Sequence, residues 1–175
     1  MVVKLLRVSR SSYHKEIMNE ICMHEALCQH PRVVGYFGCF HREPDRFGLV
    51  LESYDMSLQD WLEKAPADMA SRVKASSHLL EAVRFLHTLG GGGVIHRDIK
   101  PANLLVNCEP RGLAIVKCAL TDFGFTCVPG RLLFTSFTSV HSPCHFHVNM
   151  SVQLFLLICA LQQGLTMARL ARWHT

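Results

Sequence analysis

Asp98, Asn103 and Asp122 are the residues of this 175-residue sequence whose types and spacing best fit chemistry. All three lie beside short apolar segments of strand character, so their side chains can converge on one pocket. An amide oxygen and a carboxylate, at Asn103 and Asp122, suit Mg²⁺. That hard cation takes one or two protein oxygens and keeps the rest of its shell for water and phosphate. A further carboxylate, Asp98, could orient an attacking hydroxyl. Lys100 stands two residues on and could offset the charge of a transferring phosphoryl group. Phosphoryl transfer asks for positioning and charge neutralisation more than for covalent chemistry, and this inventory meets that demand.

The elements that must hold these groups form an α+β pattern. Val2 to Leu6 predicts a strand. Residues 15–28 predict a helix with Ile17, Ile21, His24 and Leu27/Cys28 on one face, stopped by Pro31. Val33 to Phe37 and Phe47 to Glu52 predict two more strands around the polar turn 41–46. Ser57 is a candidate N-cap for a short helix through Leu62. A longer helix is predicted from about Ala67 to His87, its apolar stripe being Val73, Leu79, Leu80, Val83 and Leu86. Gly90–Gly93 ends it, and strands at Leu104–Val106 and Ala114–Leu120 form a hairpin that carries Asn103 and Asp122 at its ends.

Charge and composition exclude several classes. Of the 18 Lys and Arg, only Arg131, Arg169 and Arg172 fall after residue 122, and that segment has no Lys, Asp or Glu. Three of the four net positive charges therefore sit in a charge-poor tail rather than in a basic stripe, so nucleic-acid binding is not expected. Eight cysteines are scattered without a Cys-x-x-Cys pair, and the start lacks a signal-length apolar run, which predicts reduced thiols and a cytoplasmic protein. His141, Cys144, His145 and His147 crowd together, but a structural zinc site wants two ligand pairs at set spacing. Val152 to Leu161 is shorter than the roughly 20 apolar residues of a membrane span, so no span is expected and a buried or peripheral helix is the better reading.

His96-Arg-Asp-Ile-Lys-Pro-Ala-Asn103 resembles the catalytic loop of eukaryotic protein kinases, and Asp122-Phe123-Gly124 resembles their magnesium-binding loop. Both motifs in order, with a hairpin between, make a specific signal. Upstream, Val2-Val3-Lys4 resembles the family's third-strand Val-Ala-Ile-Lys motif. The resemblance implies that Lys4 meets the α- and β-phosphates of ATP and that Glu20 is its ion-pair partner. Leu51-Glu52-Ser53-Tyr54 resembles the hinge, with Leu51 as gatekeeper. Backbone groups of Glu52 and Tyr54 would then bond adenine, between walls made by Val2, Leu51 and Leu105. His24, Tyr36, His96 and Phe123 fall where the family stacks its regulatory spine.

The resemblance implies a serine/threonine kinase, because Lys100 stands within Asp-x-Lys-Pro-x-Asn. It implies ATP and Mg²⁺ as cofactors and a protein bearing Ser or Thr as substrate. Asp98 would accept the hydroxyl proton, Lys100 would stabilise the transferred group, and Asn103 and Asp122 would hold the metal. Arg97 could pair with a phosphorylated activation loop. The match runs over residues 2–124, with no Gly-x-Gly-x-x-Gly before it and no Ala-Pro-Glu after it. The expected architecture is a partial bilobal kinase-like α+β fold over residues 1–124. An atypical tail follows over 125–175, read as sequence from an alternative exon, a frameshift or read-through. The alternative to an enzyme is a non-catalytic module that binds nucleotide or partners.

Overall fold

Alternation of Val2, Lys4 and Leu6 against Val3 and Leu5 gives the first segment a two-residue period, and it forms strand β1, Val2–Arg7. The computed structural model describes residues 1–7, 11–43, 46–65, 68–90 and 92–128. The expected tail from 129 on, with its histidine-cysteine cluster and its apolar run, lies outside the described residues. Helix α1, Ser11–Leu27, follows β1, then β2, Tyr36–Glu43, and β3, Arg46–Leu51. The three strands form an antiparallel sheet in the order β1-β3-β2, which leaves β1 at one edge. A Cβ at Gly48 in β3 would lie 2.3 Å from the Phe40 ring on β2, so a larger residue there would have to displace that half-exposed ring.

A second, mainly helical part follows. Strand β4, Met56–Ser57, leads into helix α2, Leu58–Lys64, whose cap is Ser57 accepting from the Asp60 N–H at 3.1 Å. Helix α3, Met69–Thr88, is capped by Asp68, which accepts from the N–H and the hydroxyl of Ser71. The Ser71 hydroxyl in turn accepts from Ile115 N–H at 2.8 Å, fixing the helix start to the hairpin. After α3 the chain reverses at Gly93, with φ of 70°; a Cβ there would meet the His87 carbonyl at 2.6 Å. A single 3-10 turn, Pro101–Asn103, opens the hairpin of β5, Leu104–Cys108, and β6, Ile115–Leu120. These two strands and β4 form the second sheet, in the order β4-β5-β6.

Two apolar clusters hold the parts together. The larger packs α3, β5, β6 and Trp61 with Leu27 and Val33; the smaller joins Ile17, Ile21, Val34, Leu49, Leu51 and Ala119. The Trp61 indole N–H donates to the Leu113 carbonyl at 2.6 Å, satisfying its polar edge in the core. Backbone bonds from Val34 N–H to Leu120 O and from Leu120 N–H to Arg32 O stitch the two parts at one point. Among the described residues, no helix is long and apolar enough to cross a membrane.

Three local expectations need correction. Val33 and Val34 do not begin a strand: Val33 makes one isolated parallel bridge to Leu120, and β2 starts at Tyr36. Here contact with the second part overrides the β-branched pattern. On α3, Val73 and Leu80 face outward, and Ala75, Leu79, Ala82, Val83 and Leu86 are the buried stripe. Small alanines let the helix sit close to the hairpin, so side-chain size misled the assignment of the face. Helix α1 begins at Ser11, four residues before the predicted start.

Candidate active site

Strand alternation turns the Lys4 side chain to the same face of β1 as Val2 and Leu6. Helix α1 buries Ile17, Glu20, Ile21 and His24 along one face, so its inward stripe carries a carboxylate to the strand. Lys4 Nζ donates to Glu20 Oε1 at 2.7 Å and to Asp122 Oδ1 at 3.2 Å. Three elements distant in sequence thereby meet at one ammonium group. Burial is the largest influence on both members of the Lys4–Glu20 pair. At Lys4 it lowers the pKa, but the Glu20 and Asp122 charges outweigh it and leave the ammonium above its ordinary range. At Glu20 burial raises the pKa, and Lys4 offsets this only in part while Asp122 adds repulsion.

Asp122 follows β6 with φ of 68°, and Arg97 has φ of 66°. These are the only non-glycine residues with positive φ among the described residues, and each lies within one of the two motifs. Beside Asp122, the fully buried Phe123 ring meets His96 at 5.1 Å and His24 at 5.0 Å, and His24 stacks on Tyr36 at 6.0 Å. This continuous column runs from β2 through α1 to the loop before Asp98. His96 accepts from Asp98 N–H at Nδ1 and bonds the Thr121 carbonyl through Nε2 at 3.0 Å, so a neutral ring with its proton on Nε2 satisfies both. Its burial lowers its pKa, in keeping with that state. Arg97 Nε donates to the Phe125 carbonyl.

Asp98, Lys100 and Asn103 form a second group. Asp98 Oδ2 accepts from Lys100 Nζ at 2.7 Å and from Asn103 Nδ2 at 2.8 Å. Asn103 Nδ2 also donates to the Asp98 carbonyl at 2.9 Å. With its amide nitrogen committed to Asp98, Asn103 has its oxygen left, the atom type a hard cation takes. Asp122 likewise spends Oδ1 on Lys4. Among the described residues, no group of three or more His, Cys, Asp or Glu is arranged to hold a metal ion by itself. The donor set therefore fits a cation that completes its shell from water and phosphate, as Mg²⁺ does.

The segment expected as the hinge, Leu51 to Tyr54, lies between the two parts. Leu51 is buried, and Tyr54 and Leu105 pack against its cluster, while Val2 sits opposite Leu51 in the sheet register and is half exposed. Glu52 holds more than its backbone would suggest. Its carboxylate accepts from Lys117 Nζ at 2.7 Å, from the Tyr54 hydroxyl at 3.0 Å and from Gly35 N–H at 3.3 Å. Burial would raise the Glu52 pKa, but the Lys117 and Tyr54 bonds bring it below the ordinary range. Sequence reasoning missed Lys117, although a lysine inside the apolar run Ile115-Val-Lys-Cys-Ala-Leu120 was a signal. It also missed Asn19, for which a single sequence carries no signal.

The sequence profile of the protein kinase domain matches residues 1–138. The chain belongs to the protein kinase domain family. The kinase match runs past Gly124 into the first part of the expected tail. The chain is 30% identical over 119 residues to serine/threonine-protein kinase tousled-like 1-B of Danio rerio, covering 67% of this chain and 15% of the relative. It is 32% identical over 120 residues to serine/threonine-protein kinase tousled-like 2 of Homo sapiens, again 67% of this chain and 15% of the relative. A C-type lectin receptor-like tyrosine-protein kinase of Arabidopsis thaliana is 30% identical over 128 residues, 69% of this chain and 23% of the relative. The kinase chain thus spans less than a quarter of the length of these relatives.

Proposed function

We propose that this chain is a cytoplasmic, ATP- and Mg²⁺-dependent kinase that phosphorylates serine or threonine hydroxyls of proteins. The observation that carries the reading is the double engagement of Lys4, which bonds Glu20 and Asp122 at once. That arrangement fixes a cation at the point where polyphosphate would lie and keeps a metal-binding carboxylate beside it. In this reading Asn103 and Asp122 hold Mg²⁺, and Lys4 meets the α- and β-phosphates. Val2, Leu51 and Leu105 flank adenine, which bonds the backbone of Glu52 and Tyr54. Bound ATP–Mg²⁺ supplies the phosphoryl group and its electrophilic activation. Asp98 takes the proton of the substrate hydroxyl on its remaining oxygen, and Lys100 offsets charge on the transferred group. Arg97 would bind a phosphate on the segment that follows.

The test is calorimetry of ATP–Mg²⁺ with the chain and with Asp122→Ala. Binding that disappears in the variant is expected, followed by phosphate incorporation into a serine/threonine peptide library and not into a tyrosine-only one. Equal binding by both chains would overturn the reading. A second reading, binding without transfer, draws on Val2 and Val3, which stand 47% and 48% exposed on the edge strand beside the proposed phosphate site. Binding lost in Asp122→Ala but no incorporation into either library would favour it.

A further inference from the structure

Asn19 stands on α1 one residue before Glu20, and its amide is aimed at the chain that follows Asp122. Its Nδ2 donates to the carbonyls of Phe123 at 3.1 Å, Gly124 at 3.0 Å and Thr126 at 2.9 Å. Two N–H bonds serve three acceptors, so one of them is shared. The backbone at Gly124 runs against α1 closely enough that a Cβ would lie 3.9 Å from the Glu16 carbonyl and from Glu20 Oε2. Among the described residues, Arg97 also holds this segment, its Nε donating to the Phe125 carbonyl. Thr126 N–H closes a turn onto Phe123 O at 3.1 Å, and Cys127 pairs with Ile95 through two backbone bonds. The Thr126 hydroxyl is buried without a hydrogen-bond partner, so at Thr126 α1 holds the backbone and not the side chain.

We propose that Asn19 is a positioning residue that latches the segment after Asp122 onto α1. Through Lys4, the Glu20 and Asp122 carboxylates already share one ammonium group. Asn19 adds an uncharged link between the same two elements, on the far side of Asp122, where the Phe123 ring also packs on His24. The ion pairs and the ring contact leave the backbone after Asp122 room to turn. The Asn19 bonds fix its spacing from α1, so that both carboxylates reach Lys4 together. The role rests on the reading of Asp122 as a metal ligand, but the latch itself can be measured without any ligand.

Asn19→Leu removes the donors at nearly constant volume, and Asn19→Ala carries the same test if the leucine variant does not fold. Amide hydrogen exchange of the ligand-free chain is expected to quicken at least tenfold at Thr126 and Cys127, with the α3 amides unchanged. Unchanged exchange at Thr126 and Cys127 would overturn the latch. ATP affinity is then compared with Mg²⁺ and with EDTA. The variant is expected to lose at least fivefold of the Mg²⁺-dependent gain, with metal-free affinity within twofold of the parent and recovery in Asn19→Gln. Equal losses with and without metal would reduce Asn19 to general packing and overturn the positioning role. If the parent chain binds no nucleotide, the proposed function fails on its own, and the exchange result still decides the latch.

Discussion

Lys117 Nζ lies 2.7 Å from Glu52 Oε1, joining β6 to the segment that leaves β3 across 65 positions of sequence. The ammonium also sits 5.0 Å from the centre of the Tyr54 ring, whose hydroxyl donates to the same carboxylate. One carboxylate thus ties together a strand of the second sheet, the hinge and the turn at Gly35. Side chains about one-third exposed, 29% for Lys117 and 33% for Glu52, limit the ion pair itself to roughly 0.5–1 kcal/mol. Glu52→Ala also strips acceptors from Tyr54 and Gly35, so about 1–2 kcal/mol of stability should be lost. Urea unfolding of Lys117→Met and Glu52→Ala separates the two. Equal losses would show that the Tyr54 and Gly35 bonds contribute nothing.

The histidine column makes the fold sensitive to acid. Burial, with the Lys4 charge second, pulls the His24 pKa from its ordinary 6.5 to about 4. A base depressed on folding stabilises the native state above its unfolded pKa, and that stability drains as pH falls toward the folded value. At about 1.4 kcal/mol per pH unit, His24 alone accounts for up to roughly 3 kcal/mol between pH 6.5 and 4. Lys4 and Asp122 are the charges that act on this ring, His96 is the other titratable group that does so, and Glu20 Oε1 lies 3.9 Å from its Nε2. Glu20 works in the opposite sense, because its raised pKa favours proton uptake by the folded chain. Thermal unfolding at pH 7, 6 and 5 should therefore fall less steeply in His24→Leu than in the parent. Parallel pH profiles would show that His24 does not carry the acid sensitivity.

Asn103 links the two halves of the candidate chemistry. Its Nδ2 holds Asp98 through two bonds while its oxygen is left for a cation. Asn103→Ala should weaken ATP binding in Mg²⁺ by tenfold or more and leave binding in EDTA nearly unchanged. Stability should fall by about 1–2 kcal/mol for the two lost bonds. Titration calorimetry in the two buffers, beside a urea curve, checks both numbers. A loss of affinity that is the same in EDTA would remove Asn103 from the metal site.

The sequence was most readable where one residue type is demanded by chemistry. Lys4, Glu20, Asp98, Asn103 and Asp122 were placed by motif order and spacing, and the fold brings Lys4 to both Glu20 and Asp122. The short helix was legible from its Ser57 cap, a local interaction that needs no tertiary context. What was missed depends on contacts between distant segments. Val33 and Val34 have strand-like side chains, yet their backbone partners lie at Leu120 rather than in the first sheet. The buried face of α3 is set by how closely Ala75 and Ala82 approach the hairpin, which hydrophobicity alone does not encode. Glu52 was read only through its backbone, because its three side-chain partners come from three separate segments.

Lys4 and Glu20 allow a thermodynamic test of the central contact. The Glu20 side chain is 5% exposed and that of Lys4 35%, so the carboxylate is the member that depends on its partner. Lys4→Met leaves Glu20 buried beside Asp122 with no cation, and removing one member of such a pair costs more than the pair contributes. With solvent reaching Lys4, the loss at pH 7 should be about 1–2 kcal/mol rather than the value for a fully buried pair. It should shrink toward pH 5, because Glu20, already raised by burial, then takes up a proton more readily. Glu20→Gln in the Lys4→Met background removes the stranded charge and should recover at least half of the loss. With Glu20→Gln alone and the parent, these variants form a double-mutant cycle whose coupling energy isolates this contact. Additive losses across the cycle, independent of pH, would mean that the ammonium and carboxylate are neighbours without being partners.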